Sequence, residues 1–210
     1  MNQFLNPIRI KICGVTSIED AQLAMNAGAD AIGLVFYAPS SRVVSIEQAQ
    51  AIADSVGPFV TVVGLFVDAE AVFVSDVLAH VSLHVLQFHG DESRDFCERF
   101  QRPYIKAIRM RPELNLPEVM REFASASAIL LDAYRLGVPG GTGDTFDWQR
   151  VPKNPLCPIV LAGGLTPENV ALAIASTQVY GVDVSGGVES SPGKKAAHKI
   201  TAFIHNAKCA

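Results

Sequence analysis

The feature that most constrains how this chain folds is a regular alternation of short apolar runs with longer amphipathic segments. The apolar runs have the length and residue types of buried strands, and there are eight of them: Ile8–Cys13, Ala31–Phe36, Phe59–Phe66, His84–Phe88, Tyr104–Ile108, Ala128–Asp132, Ile159–Leu161 and Tyr180–Val184. Seven helical patterns fill most of the gaps and follow the last run: Ile18–Asn26, Ile46–Asp54, Ala69–Ala79, Arg94–Arg99, Pro117–Phe123, Pro167–Ala175 and Lys194–Asn206. A short helical segment is predicted around Trp148, between the sixth and seventh strands.

Eight strand–helix units favour a closed parallel barrel over an open sheet with helices on both faces. In an open sheet of that kind a glycine-rich dinucleotide turn would follow the first strand, and Cys13-Gly14-Val15-Thr16 lacks that pattern. The length of 210 residues lies near the short end of the range for such barrels. We therefore predict the α/β class, with residues 1–210 forming one (β/α)8 TIM barrel domain.

Several of the predicted helices are preceded by residues that commonly begin a helix. Ser17 and Ser45 stand where their hydroxyl groups can cap the first two helices. Thr166 and Ser191 are each followed by a proline, which suits the first turn of a helix, so helix starts are predicted there as well.

Composition and charge narrow the classes of partner and compartment. Four cysteines, Cys13, Cys97, Cys157 and Cys209, lie far apart without zinc-site spacing or disulfide density, which indicates free thiols in a reducing compartment. A formal net charge of −4 disfavours nucleic acid and anionic membranes as partners, while leaving a local cationic pocket and a small anionic substrate open. The chain has no apolar run of bilayer length and no signal-peptide pattern at its start, so a cytoplasmic protein is predicted.

The first strand ends in a lysine and a cysteine that share one face. Strand alternation sends Ile10 and Ile12 to one side and Lys11 and Cys13 to the other. A nearby ammonium favours the thiolate, so this pair suits proton removal or attack on carbon. The alternative is a small buried apolar cysteine, the commoner fate of this residue type.

In a barrel of this kind the carboxyl ends of all strands meet at one mouth, where residues distant in sequence converge. Cys13, His89, Asp132 and Asp183 lie at or just after strand ends, and Arg42 lies in the second loop. Each has a structural alternative: a solvated loop cation for the arginine, a rim hydrogen bond for the histidine and a loop cap for either aspartate.

Two glycine-containing loops follow the last two strands. Ala162-Gly163-Gly164-Leu165 and Ser185-Gly186-Gly187 stand where these barrels commonly bind phosphate through backbone N–H groups, so phosphate binding is favoured over simple tight turns. A further glycine loop, Gly140-Gly141-Thr142-Gly143, follows the sixth strand and could form a flap.

The ordered motifs of the chain resemble the phosphoribosylanthranilate isomerase family over nearly the whole length. They are Lys11-Ile12-Cys13-Gly14, Gly33-Leu34-Val35-Phe36 with Ser41-Arg42, Val63-Gly64-Leu65-Phe66-Val67, Gln87-Phe88-His89-Gly90, Leu130-Leu131-Asp132, Gly141-Thr142-Gly143 with Phe146-Asp147-Trp148, Gly163-Gly164-Leu165, and Val182-Asp183-Val184-Ser185-Gly186-Gly187-Val188-Glu189 followed by Pro192-Gly193-Lys194-Lys195. The segment Ala133-Tyr134-Arg135-Leu136-Gly137-Val138-Pro139 departs from the family pattern.

The resemblance implies an Amadori rearrangement of a phosphoribosylated anthranilate in tryptophan biosynthesis, with no cofactor and no metal. It places the general base at Cys13 and the general acid at Asp132. The chemistry then needs an aspartate whose pKa is raised by burial or by a neighbouring carboxylate, and a thiol whose pKa is lowered by cationic surroundings. Lys11 is the expected electrostatic helper, and Arg42 matches the family arginine that meets the anthranilate carboxylate.

His89 and Asp183 match family positions near the site and are expected to position the substrate. One alternative is the histidine-pathway isomerase, whose pattern has an aspartate as the base on the first strand and repeated half-barrels. Another is a noncatalytic barrel that binds a phosphorylated sugar. The expected partner is a small phosphorylated molecule, and the chain is expected to be a monomer or a homodimer.

Overall fold

A computed structural model describes residues 7–133 and 146–210, and its centre is a closed barrel of eight parallel strands in sequence order. The strands are β1 Arg9–Cys13, β2 Ala31–Val35, β3 Thr61–Phe66, β4 Val85–Phe88, β5 Tyr104–Arg109, β6 Ala128–Asp132, β7 Ile159–Leu161 and β8 Gly181–Val184. The predicted fold class and all eight predicted strands are confirmed. The loop Gly140–Gly143 and most of the atypical segment 133–139 lie outside the described residues.

Helices cover the outside of the barrel. They are α1 Ile18–Ala27, α2 Ile46–Asp54, α3 Ala71–His80, α4 Arg94–Glu98, α5 Leu116–Glu122, α6 Val170–Thr177 and α7 Ala197–Lys208, and a short 3-10 helix at Trp148–Arg150 lies where one was predicted. Both serine caps are confirmed. Ser17 accepts a hydrogen bond from the backbone of Asp20, and Ser45 forms a reciprocal capping box with Gln48.

The last two helices begin later than the proline signals predict. Before α6, Asn169 bonds the backbone at both Thr166 and Gly164, and this turn delays the helix to Val170. Before α7, a small antiparallel hairpin of β9 Glu189–Ser191 and β10 Lys194–Lys195 occupies the residues predicted to begin the helix.

Alternation in β1 divides its side chains as predicted. Ile10 and Ile12 join the large apolar cluster between the strands and the helices, whereas Lys11 and Cys13 face the inside of the barrel. The pairing of β1 with β8 sets Lys11 opposite Asp183, and the pairing of β1 with β2 sets Cys13 opposite Gly33. Among the described residues, no helix has the length and apolar character needed to cross a membrane.

Candidate active site

A pocket of ≈ 340 Å³ opens at the carboxyl ends of the barrel strands. Every predicted site residue except Lys11 lines it: Cys13, Arg42, His89, Asp132, Gly163, Gly164, Asp183, Ser185, Gly186 and Gly187. Lys11 is buried below this lining, so it contacts other side chains of the site. The barrel therefore brings together residues from the two ends and the middle of the chain.

Cys13 belongs to a charged group of side chains, which we call the base side and which comprises Cys13, Lys11 and Asp183. The Nζ of Lys11 donates a hydrogen bond to Oδ1 of Asp183 at 2.9 Å, and both side chains are buried. The same ammonium interacts with the Cys13 thiol. Gly33 leaves room for this arrangement, because a Cβ there would lie 2.7 Å from Sγ of Cys13 and 3.1 Å from Nζ of Lys11.

Burial controls the ionisation of the thiol. It raises the pKa of Cys13 above the ordinary value, although Lys11 acts in the opposite direction. For Lys11, burial opposes the charge, but Asp183 and Cys13 outweigh it and raise the pKa of the ammonium. The expectation that cationic surroundings lower the pKa of this thiol is therefore wrong for this structure, because burial outweighs them.

Asp132 lies in a different setting, which we call the acid side and which comprises Asp132, His89 and Gln87. Oδ2 of Asp132 is 3.1 Å from Nε2 of His89, and Nδ1 of that ring is 2.9 Å from Nε2 of Gln87. The other carboxyl oxygen, Oδ1, accepts a hydrogen bond from the backbone N–H of Ala133 at 2.9 Å. All three side chains of the acid side are buried.

The two glycine loops form the wall of the pocket beside Asp132. Gly163 and Gly164 have φ values of +81° and +61°, and a Cβ on Gly163 would lie 2.9 Å from Oδ1 of Asp132. A Cβ on Gly187 would collide with the carbonyl oxygen of Leu165, so the two loops pack directly against each other. Within the described ranges, the backbone N–H groups of Gly164 and Gly186 have no acceptor, and such groups are suited to binding an anion.

Arg42 is held by a carboxylate that sequence reasoning missed. Its Nε and Nη2 donate to the two oxygens of Glu189 at 2.7 and 2.8 Å. Glu189 also accepts a hydrogen bond from Nζ of Lys195 at 2.9 Å, and the same ammonium donates to the carbonyl oxygen of Cys13. Hydrogen bonding to Glu189 raises the pKa of Arg42, so its guanidinium is charged.

This ion pair refines what was predicted for Arg42. One edge of the guanidinium is taken by Glu189, so the edge formed by Nη1 and Nη2 is the one left to meet a substrate. That end lies beside the second glycine loop, since a Cβ on Gly186 would be 3.4 Å from Nη2 of Arg42.

Three residues of the site were missed by sequence reasoning: Gln87, Glu189 and Lys195. All three stand inside motifs that carry the family resemblance, and this was the available signal. Their contacts join residues far apart in the chain, as in the bond between Lys195 and Cys13, so local patterns could not assign them.

The closed parallel barrel and the pocket at the carboxyl ends of its strands are the architecture of a (β/α)8 barrel enzyme, whose active site lies at that end of the barrel. A model of the family described as N-(5'phosphoribosyl)anthranilate (PRA) isomerase matches residues 10–206. An N-(5'-phosphoribosyl)anthranilate isomerase from Cellvibrio japonicus is 66% identical over 200 residues, covering 95% of this chain and 93% of the relative.

Solved structures agree with this match. The phosphoribosyl anthranilate isomerase of Thermotoga maritima has a TM-score of 0.89 and 40% identity, covering 97% of this chain and 100% of that one. A second such structure, bound to reduced 1-(o-carboxyphenylamino)-1-deoxyribulose 5-phosphate, has a TM-score of 0.85 and 39% identity over the same shares of the two chains. The chain belongs to the phosphoribosylanthranilate isomerase family.

Proposed function

We propose that this chain carries out its family's reaction in tryptophan biosynthesis with Asp132 as the general acid and Cys13 as the general base. The substrate is N-(5-phosphoribosyl)anthranilate, and the product is 1-(2-carboxyphenylamino)-1-deoxyribulose 5-phosphate. The observation that carries this assignment is that one pocket is lined by the carboxyl group, the thiol and two glycine loops.

Asp132 acts first, as the acid. It donates a proton to the furanose ring oxygen while the bond between C1 and that oxygen breaks, and the electron pair of the amine forms the Schiff base. Its hydrogen bonds with His89 and with the backbone N–H of Ala133 fix the direction of the carboxyl group. Asp132 ends this step ionised.

Cys13 acts next, as the base. Its thiolate removes the proton from C2, and the electron pair of that C–H bond moves to form the enolamine, with the cationic nitrogen as the electron sink. Proton loss from the C2 hydroxyl group and proton gain at C1 then give the ketone. The whole sequence is an isomerisation, so atoms and electrons balance without any co-reactant.

The base side provides the charge that this step needs. Because burial raises the pKa of Cys13, the thiol is mostly protonated in the free enzyme at neutral pH. Lys11 favours the thiolate, and its own charge is secured by Asp183. The cationic Schiff base adds a second positive charge when the substrate is present, which favours the thiolate further.

The remaining residues bind the two anionic ends of the substrate. The phosphate is bound by backbone N–H groups of the loops that contain Gly163, Gly164, Ser185, Gly186 and Gly187. The free edge of the Arg42 guanidinium meets the anthranilate carboxylate. His89 and Asp183 position the sugar between these ends.

The test is turnover by the purified protein without added metal, followed by the loss of substrate fluorescence. We expect wild-type turnover, and a loss of about 1,000-fold in kcat for Cys13→Ala and for Asp132→Asn, since each removes a proton-transfer group. Both variants should retain binding of the reduced product analogue, which separates chemistry from binding. Wild-type turnover by either variant would refute the role assigned to that residue.

Competition between this substrate and that of the histidine-pathway isomerase tests the nearest alternative. Cys13 stands where that enzyme's pattern has an aspartate, so we expect turnover of the anthranilate compound. A noncatalytic barrel that binds a phosphorylated sugar would bind the analogue and turn over neither substrate. Cytoplasmic localisation and a monomeric or homodimeric state stay predictions.

A further inference from the structure

The hairpin of β9 and β10 takes no direct part in the proposed reaction, although its sequence is one of the motifs that carry the family resemblance. The backbone N–H of Lys195 donates to Oδ2 of Asp20 at 3.0 Å. Oγ1 of Thr16 donates to the carbonyl oxygen of Gly193 at 2.6 Å, so the start of the chain holds the hairpin in place. Lys194 is exposed, whereas the side chain of Lys195 is completely buried. The hairpin therefore directs one lysine to solvent and the next one into the protein.

The Lys195 ammonium ends where three parts of the proposed site meet. Its Nζ donates to the carbonyl oxygen of Cys13 at 2.6 Å and to Oε1 of Glu189 at 2.9 Å. The third partner is the carbonyl oxygen of Ser185 at 3.2 Å, with Oγ of the same serine at 3.5 Å. Burial lowers the pKa of Lys195, and Glu189 acts in the opposite direction. Two carbonyl oxygens and a carboxylate can only accept, so they use all three N–H groups of an ammonium and favour the charged form.

The bond to Ser185 fixes the direction of a backbone N–H in the second glycine loop. In a trans peptide the C=O and N–H groups point in opposite directions, so an ammonium on the Ser185 oxygen turns the Gly186 N–H away from Lys195. That N–H has no acceptor within the described residues, and Gly186 lines the pocket. The positive charge also polarises the peptide group, which makes its N–H a stronger donor. This peptide group is therefore suited to bind an anion in the pocket.

The other two bonds act on the thiol and on the arginine. The bond to the carbonyl oxygen of Cys13 limits the movement of the backbone that carries Sγ. Oε1 of Glu189 accepts from the ammonium and from Nε of Arg42. Gly14 shows how closely these parts pack, because a Cβ there would collide with Arg42 and lie 2.9 Å from Oγ of Ser185. The ammonium therefore links the base, the second glycine loop and the arginine.

We propose that Lys195 is a positioning residue that sets the Gly186 N–H toward the substrate phosphate and keeps it at a fixed distance from the Cys13 thiol and the arginine. The phosphate, C2 and the anthranilate carboxylate belong to one short molecule, so the groups that meet them must keep matching distances. One buried ammonium with three hydrogen bonds maintains those distances. The inference rests on the proposed function, which gives the loop, Cys13 and Arg42 their roles.

Binding of inorganic phosphate tests the proposal without turnover. In wild-type protein labelled with nitrogen-15, we expect phosphate to shift the backbone amide signal of Gly186, and the titration gives the phosphate Kd. Lys195→Met should raise this Kd about 10-fold, because the loop loses the ammonium that directs and polarises its N–H. A wild-type Gly186 signal that does not respond to phosphate would overturn the proposal, as would an unchanged Kd in Lys195→Met.

Two other lysines provide matched controls. Lys106→Met removes an ammonium that is also buried and also donates to a carboxylate and a backbone carbonyl, those of Glu92 and Gly90. Lys194→Met removes the exposed charge next to Lys195 in the hairpin. The first variant controls for lost stability and the second for lost charge, and each should change the phosphate Kd less than about twofold. A 10-fold rise in either control would refute a specific role of Lys195.

The kinetics separate positioning from packing. In Lys195→Met we expect KM to rise about 10-fold and kcat to fall about 10-fold, because the phosphate-binding loop and the thiol both lose their support. Glu189→Gln keeps Lys195 and its bond to the loop, so its phosphate Kd should not rise. A packing role alone would lower the folded fraction, and with it the apparent kcat, while KM and the phosphate Kd stayed unaltered.

The outcomes also separate this inference from the proposed function. If the wild type turns over no substrate but its phosphate binding depends on Lys195, the proposed function fails and the effect of Lys195 on the loop stands. If the wild type is active and Lys195→Met changes neither KM nor the phosphate Kd, the function stands and the inference is wrong. Should Lys195→Met fail to fold, the uncharged Lys195→Gln variant replaces it with the same expected rise in Kd.

Discussion

Cys13 and Asp132 line one pocket, but the base side and the acid side surround them with different chemistry. On the base side a thiol and a carboxylate are buried on either side of an ammonium that interacts with both. On the acid side the carboxyl group meets an imidazole and a carboxamide through two hydrogen bonds. The difference fits the proposed tasks, since a base needs positive charge nearby and an acid needs its carboxyl group held in a fixed direction.

The largest effect is expected from a substitution that removes one charge from the base side. Lys11→Met removes the ammonium that favours the Cys13 thiolate and leaves Asp183 buried without its partner. We expect kcat to fall about 100-fold and the free energy of unfolding to fall by about 3–5 kcal/mol, measured by turnover and urea denaturation. On the acid side, Gln87→Met should cost about 1–2 kcal/mol, since it removes the hydrogen bond between Gln87 and His89.

A second substitution controls for the lost ion pair. In Lys11→Met combined with Asp183→Leu, no buried charge of the pair is left unpaired, so most of the stability should return while activity stays low. Full activity in the single variant would contradict the electrostatic role of the base side.

Two glycines allow a steric test of each side. Gly163→Ala forces a side chain onto a φ of +81° and places a methyl group against Asp132, so it should lower both stability and kcat. Gly33→Ala has no such backbone strain and brings its methyl group within 2.7 Å of Sγ of Cys13. We expect about a 30-fold loss of kcat in each, with about 1–2 kcal/mol of destabilisation added in Gly163→Ala. Unchanged kinetics in Gly33→Ala would show that catalysis does not need Sγ of Cys13 to stay in its position beside Gly33.

The charged network extends from the base side to Arg42, the residue proposed to bind the substrate carboxylate, through Lys195 and Glu189. Glu189→Gln removes the negative charge that holds the Arg42 guanidinium in place. The guanidinium can then turn away from the substrate carboxylate. We expect KM to rise about 10-fold with kcat changed less than about threefold. Glu98→Gln is the matched control, because it breaks an exposed pair with Arg94 and should leave KM unaltered. A rise in KM in both variants would contradict a specific role of Glu189 in holding Arg42.

The smallest effect concerns the pH at which Cys13 reacts. Since burial raises the pKa of this thiol, alkylation of Cys13 in the free protein should increase at a higher pH than for an ordinary thiol, whose pKa is about 8.5. Mass spectrometry of the labelled peptides measures this site by site, and the protein unfolded in urea is the control. Lys11→Met should move the midpoint higher still.

The same raised pKa affects stability in a defined direction. Above the pKa of the unfolded thiol, the unfolded chain has lost a proton that folded Cys13 still holds, so the free energy of unfolding should fall as the pH rises. Buried Cys97, with its pKa raised to about 12, contributes in the same direction. A Cys13 midpoint below that of the unfolded protein would contradict this account of burial.

Much of the fold could be predicted because its signals are local. The alternation in β1 determined which face Lys11 and Cys13 share, and the serine caps marked the starts of α1 and α2. The hairpin at Glu189–Lys195 was missed because two short polar strands carry no apolar alternation. The start of α6 was misplaced because Asn169 bonds the preceding loop and delays the first turn.

The site could be predicted where position along a strand decides it, and not where contacts decide it. Cys13 and Asp132 end their strands, so the barrel alone brings them to one mouth. The bond of Glu189 to Arg42 spans 147 residues, and no local pattern contains it. The direction of the Cys13 pKa also depends on burial, which the sequence of β1 does not show.

The most direct test of the acid and base pair is a crystal structure of the protein with the reduced product analogue. The account predicts the phosphate on the two glycine loops, Sγ of Cys13 within about 3.5 Å of C2, and a carboxyl oxygen of Asp132 within about 3 Å of the oxygen that derives from the furanose ring. An analogue that contacts only one of these two side chains, or whose phosphate lies away from both loops, would contradict it.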